Sequence, residues 1–184
     1  MNFKKVTLKN GLRIITVPMK DTPTATVLVL VEAGSKYETK DINGLSHFLE
    51  HMCFKGTINR PNASDISREL DSLGAQYNAF TSQEFTGYYA KAQAKKLPQL
   101  IDIIGDLYVN PTLDEKESEK EKGVIIEEIN MYEDMPNRQV WEIFNNLLHG
   151  DQPAGWDVIG TKEIIKRTTR EHFVNYRNKH YVAK

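Results

Sequence analysis

Between Gly44 and Thr57 the chain reads Gly-Leu-Ser-His-Phe-Leu-Glu-His-Met-Cys-Phe-Lys-Gly-Thr, and this stretch restricts the fold more than any other. Wound at 3.6 residues per turn, it places His47 and His51 one turn apart, with Glu50 about 60° to one side of His47. Leu45, Phe48, Leu49 and Met52 fall on the opposite face, about 100° to 200° round. A helix so divided buries its second face in a core and holds two imidazoles and a carboxylate together on the first. Solvated faces carry a mixed spread of lysine, glutamate and glutamine, whereas here the only lysine, Lys55, comes at the end.

The order His-x-x-Glu-His is the inverted form of the zinc-peptidase helix motif. Two neutral imidazoles suit Zn²⁺, and a catalytic zinc takes a third protein ligand and keeps one position for water. Three fixed letters in five also fit a pair of ordinary hydrogen-bonded interior histidines. A third ligand elsewhere in the chain decides between the two readings.

At 184 residues the chain fits one domain with a sizeable core. Its 24 Lys and Arg nearly balance 25 Asp and Glu, which gives no electrostatic case for nucleic acid or an anionic membrane as partner. The single cysteine, Cys53, excludes an intramolecular disulfide and a cysteine-rich metal site. No apolar leader precedes Val6, and the longest apolar run, residues 25–31, is too short to span a bilayer. The expectation is a soluble, cytoplasmic chain.

Val6 and Leu8, then Leu12, Ile14 and Thr16, alternate across Asn10-Gly11, a two-residue hairpin signal. Residues 24–32 are β-branched and almost continuously apolar, which predicts a central strand buried on both faces. Residues 64–73 read as a short amphipathic helix stopped by Gly74. Two aromatic-rich strands, 75–81 and 84–92, flank Ser82-Gln83. Leu97, Leu100, Ile101, Ile104 and Leu107 predict a core helix before Asn110-Pro111. Val140, Trp141, Ile143, Phe144, Leu147 and Leu148 also read as core, and a helical pair follows around 162–167 and 170–181.

Residues 113–132 form a highly charged helical stretch, and such helices are usually solvated. Their phase argues otherwise for two acids. With Glu128 at 0°, Val124, Ile125, Met131 and Tyr132 all lie within about 60°, and Glu121 returns to about 20°. A carboxylate in an apolar stripe is costly unless it is paired or bound to metal.

Glu128 lies 77 positions beyond His51, and this spacing resembles the M16 (pitrilysin-like) zinc peptidases, the family of mitochondrial processing peptidase and insulin-degrading enzyme. The similarity extends along the whole chain: Gly34-Ser35-Lys36-Tyr37-Glu38, Phe54-Lys55-Gly56-Thr57, Asn78-Ala79-Phe80-Thr81, Tyr88-Tyr89, Asn110-Pro111, the Glu121 to Glu128 spacing, and residues 155–160. The resemblance implies an α+β fold, a mainly antiparallel sheet with helices packed on it, forming one zinc-binding domain over 1–184. It implies that His47, His51 and Glu128 bind one Zn²⁺ and that Glu50 is the general base on a zinc-bound water. Glu121 matches the acid that orients a ligating histidine, its alternative being an ordinary salt-bridging helix acid. Asn78, Ala79 and Phe80 match the edge strand to which substrate adds as a further β-strand.

The implied partners are an extended peptide or unfolded protein segment, and a second M16-type domain or subunit, which includes a second copy of this chain. Family peptidases continue into a second, similar domain that this chain lacks, so the expectation is zinc binding with little cleavage until a complementary half is present. Two other readings share the motif. A non-catalytic subunit would bind peptide or assemble without hydrolysis. A lyase resembling S-ribosylhomocysteine lyase would need Cys53 as ligand, and Cys53 points about 120° away from His47. His149, His172 and His180 lack ligand spacing and read as structural or surface residues.

Overall fold

The computed structural model describes residues 2–183. Two antiparallel strands, β1 (Lys4–Thr7) and β2 (Arg13–Thr16), form a hairpin of their own. Thr7 pairs with Arg13 and the Leu8 amide donates to Leu12 O at 2.8 Å. The loop is therefore the three residues 9–11, with Gly11 at φ 93°, where the sequence had indicated a two-residue turn. A left-handed glycine closing a three-residue loop matches the strand twist equally well.

The main sheet comprises β3 (Thr24–Val31), β4 (Gln76–Thr81) and β5 (Thr86–Gln93) in the antiparallel order β3-β5-β4. The central strand is β5, which buries Tyr88, Ala90 and Ala92. The expectation that residues 24–32 form a central strand is corrected: β3 is an edge strand, buried on one face only. Val27, Val29 and Val31 meet the core, while Leu28 and Leu30 stand 47% and 58% exposed on the other face. A continuous apolar run fits burial on two faces, but it does not require it.

Two helices pack on this sheet, α1 (Leu45–Cys53) and, after the short α2 (Ala63–Ser72), α3 (Leu97–Val109). Leu45, Phe48, Leu49 and Met52 of α1 are buried as the periodicity requires. Leu100, Ile103, Ile104 and Leu107 of α3 are buried in the same core, whereas Leu97 and Ile101, expected in the core, are exposed. The loop leaving α1 is tied to α3 by a polar network. Asp106 accepts from Thr57 Oγ1 at 2.5 Å, Asn59 Nδ2 at 2.7 Å, Asn110 Nδ2 at 2.8 Å and Arg60 Nη1 at 2.8 Å.

Next comes α4 (Glu115–Glu133), opened by Asp114, whose side chain accepts from the Lys116 and Glu117 amides. It packs on α1, α5 (Pro136–His149) and α6 (Lys162–Arg167). Its buried residues are Ser118, Glu121, Ile125 and Ile129, a stripe centred about 60° from Glu128. Glu121 is thus the acid sunk in the buried face. Glu128 stands at its edge rather than at its centre, because Val124 and Met131, which flank it on the other side, are exposed. The last helix, α7 (Arg170–His180), closes on α1 through Phe173, whose ring meets Phe48 edge-on at 4.8 Å.

No residue of α5 is fully buried, and this overturns the expected core role of its apolar residues. Trp141 is 64% and Leu147 82% exposed, and Val140, Ile143, Phe144 and Leu148 are exposed beside them. The less exposed face carries Arg138, Gln139, Glu142 and Asn145. Periodicity reports that a helix has an apolar face, and leaves open what covers it. Among the described residues no helix is long and apolar enough to cross a membrane.

Candidate metal centre

The start of α1 is set by backbone packing and by a distant acid. Gly44 precedes the helix at φ 92°, and a Cβ there would lie 2.5 Å from Ile159 O, so only glycine fits. No local side chain caps the first turn. Instead, Glu38 reaches in from six residues upstream: Oε2 accepts from the Gly44 amide at 2.8 Å and Asn43 Nδ2 at 3.1 Å, and Oε1 from the Ser46 amide at 2.6 Å. These bonds satisfy helix-start donors that would otherwise be orphaned. Burial pushes the Glu38 carboxyl above its usual value, against the pull of those bonds.

From this start α1 projects His47 and His51 side by side, their ring centroids 4.6 Å apart. His51 Nδ1 is hydrogen-bonded to Glu121 Oε1 at 2.9 Å, so its Nε2 faces outward to the site. Lys55 Nζ meets the other Glu121 oxygen at 2.5 Å. Burial pushes the Glu121 carboxyl up, but bonds from His51 and Lys55 outweigh it and hold the group below its usual value. Burial, reinforced by the nearby His51 and Arg138 charges, pushes His47 down to about 3, so its imidazole is neutral near pH 7.

Glu128 of α4 completes the group. Its Oε2 lies 3.7 Å from His47 Nε2 and 3.6 Å from His51 Nε2, and all three donor atoms fall within 4.8 Å of one another. Tetrahedral zinc with bonds of 2.0–2.1 Å holds neighbouring donors about 3.3 Å apart. The spacing observed is slightly wider than that and too long for hydrogen bonds. Two imidazoles, that of His47 neutral, and a carboxylate converging without bonding one another form a donor set that fits Zn²⁺.

Glu50 is buried beside His51, and its Oε2 accepts a hydrogen bond from Thr81 Oγ1 at the end of β4. Burial raises its carboxyl, with the Thr81 bond opposing. β4 is an edge strand. Ser82 N donates to Phe85 O at 2.9 Å, and from this pair the antiparallel alternation turns the Asn78 and Phe80 backbones toward β5 and that of Ala79 toward the open edge.

His47, Glu50, His51, Glu121 and Glu128 are thus brought together. Cys53 is fully buried, its thiol pushed up to about 12 by burial, and it takes no part in the donor group. His172 accepts from the Thr169 amide at 3.0 Å at the start of α7, and the His180 ring packs beside Tyr176. Glu38, Lys55 and Thr81 were not legible as contributors. All three lie within stretches that carry the resemblance, but no linear pattern gave any of them a role of its own.

An inverted His-x-x-Glu-His helix lying on an antiparallel sheet, joined by an acid from a neighbouring helix, defines a metallopeptidase-like domain. The family profile Insulinase (Peptidase family M16) matches residues 13–162, and the chain belongs to that family. It is 38% identical over 179 residues to the uncharacterized zinc protease YmxG of Bacillus subtilis, covering 97% of this chain and 44% of that protein. It is 40% identical over 174 residues to the β subunit of the mitochondrial-processing peptidase of Rattus norvegicus, covering 95% of this chain and 35% of that one. The crystal structure of a protease from Helicobacter pylori superposes with a TM-score of 0.93 at 28% identity, over 99% of this chain and 44% of the other. The chain thus spans less than half the length of these relatives.

Proposed function

We propose that this domain belongs to a zinc-dependent endopeptidase acting on extended peptides or unfolded protein segments. The observation that carries the reading is the convergence of His47, His51 and Glu128 beside a buried carboxylate, Glu50, itself bonded to the end of an open strand. His47 Nε2, His51 Nε2 and Glu128 Oε2 would hold the ion. When bound, zinc lowers the pKa of a water in the fourth position to about 7 and polarises the scissile carbonyl.

The protein's own part follows from the geometry. Thr81 occupies Oε2 of Glu50, which leaves Oε1 to take a proton from the water and pass it to the leaving amine. Glu121 holds the His51 ring with Nε2 outward. Peptide adds as a strand along β4, with Ala79 offering its carbonyl and, on release from Asn78 Oδ1, its amide, and with Asn78 and Phe80 setting the strand's side-chain surroundings. Main-chain pairing tolerates many sequences. A second M16-type half supplies the remaining substrate and oxyanion contacts, which account for much of the rate.

Hydrolysis of an extended fluorogenic peptide, by the zinc-loaded domain alone and assembled with a second M16-type half, tests this reading. Turnover is expected only in the assembly, and Glu50→Gln is expected to abolish it while leaving zinc bound. Unchanged turnover in Glu50→Gln would contradict the assignment of the base.

A further inference from the structure

Tyr132 lies one turn beyond Glu128 on α4, and the reading above gives it no role. Its hydroxyl donates to Glu128 Oε1 at 2.6 Å. The other oxygen of that carboxylate, Oε2, is the one facing His47 Nε2 and His51 Nε2. A carboxylate can meet a cation through one oxygen or both, and the two modes fill different numbers of coordination positions. With Oε1 drawn toward a phenol, Oε2 is the oxygen turned to the two imidazoles.

The phenol is held from behind. The Arg138 guanidinium carbon sits 3.3 Å over the Tyr132 ring centroid, a contact that both stacks and attracts. Arg138 is set in turn by Asp157 at 3.8 Å and Glu142 at 3.9 Å. Gln139 Nε2 donates to the Tyr132 carbonyl at 3.2 Å. The first turns of α5 thus grip the ring and backbone of one α4 residue, and that residue's only polar side-chain atom points at the carboxylate of the donor group.

We infer that Tyr132 is a positioning residue that locks Glu128 as a one-oxygen ligand, with Arg138 as the clamp on its ring. The inference rests on the metal-site reading and deepens it. A two-oxygen Glu128 would take up the position a catalytic site keeps open for water, so the lock preserves reactivity as well as affinity. Groups that orient a metal ligand from outside typically contribute 10–100-fold to affinity.

Tyr132→Phe removes the hydroxyl and leaves the ring under Arg138. Zinc affinity is read by competition with a chromophoric chelator, and ligand geometry from the visible spectrum of the Co²⁺-loaded protein. Four-coordinate Co²⁺ absorbs much more strongly than five- or six-coordinate Co²⁺. Wild type should bind zinc and give the intense spectrum. The variant should bind about 10-fold or more weakly and lose cobalt intensity, with its apo unfolding midpoint within about 2 °C of wild type.

If wild type binds neither metal, the metal-site reading falls and this inference with it. If wild type binds and the variant matches it in affinity and spectrum, the lock alone is overturned. Weaker zinc with an unchanged cobalt spectrum would also overturn the lock, since the ligation of Glu128 is then unaltered, as would an unfolded apo variant, which assigns Tyr132 to the fold.

Discussion

Glu38→Ala tests how the metal-bearing helix is started. The substitution strips the carboxylate that receives the Gly44 and Ser46 amides, two donors at a buried helix start. Asn43 Nδ2 keeps a second acceptor, Asp157 O at 3.1 Å, so it is not orphaned. Each buried, unsatisfied N–H costs about 1–3 kcal/mol, a range that contains the usual cost of about 1 kcal/mol for a lost N-cap. Relief from burying a carboxylate offsets part of this, and the net expectation is about 2–4 kcal/mol. Urea unfolding of the apo protein, compared at equal m-value, measures it. The sign of its pH dependence is fixed by the raised carboxyl of Glu38. A folded pKa above the ordinary value of 4.5 gives a contribution fully present below 4.5 and lost as pH rises through the folded pKa. The gap between wild type and variant therefore narrows upward through that window. A loss under about 0.5 kcal/mol, or a gap that widens with pH, would refute the cap.

Asp106→Ala removes the acceptor shared by Thr57, Asn59, Arg60 and Asn110 and is expected to cost about 3–5 kcal/mol, read by chemical denaturation. Burial pushes the Asp106 carboxyl up, but hydrogen bonds from those four side chains outweigh it and hold the group below its usual value. Its contribution is thus present above the ordinary 3.8 and lost as pH falls through the depressed value, so the variant's stability should vary less with pH in that range. Leu147→Ser, on the exposed face of α5, should change stability by less than about 0.5 kcal/mol, whereas a loss of 2–5 kcal/mol, the range for a core leucine, would return α5 to the core. Glu121→Gln should weaken zinc binding about 10–100-fold by loosening His51, and unchanged affinity would make Glu121 an ordinary helix acid.

The parts legible in the sequence are those whose physics is local. His47, Glu50 and His51 sit within one helical turn, and the apolar positions between them assign α1 its buried face without reference to the rest of the chain. The end of α2 follows from Gly74, which breaks the helix where it stands at φ 61°, whereas the caps Asn62, Thr161 and Thr169 emerge only in the structure. Phase singled out Glu121 and Glu128, and the ligand role of Glu128 came from the resemblance; the phase placed Glu128 mid-stripe because helical angles do not tell that Val124 and Met131 stand open. β3 and α5 misled for a related reason. An apolar face looks the same in sequence whether it meets a core or stands open, and Leu30 and Trp141 stand open. The supports of the site, Glu38, Lys55, Thr81 and Tyr132, act through contacts that a linear pattern does not encode.

His47, His51 and Glu128 are assigned to act together on one ion, and the metal content of purified protein measures this most directly. Wild type, His47→Ala and Glu128→Gln, each loaded with excess zinc and desalted, are compared by atomic emission. Close to one zinc per chain is expected in wild type and far less in both variants. Equal zinc in all three would contradict it.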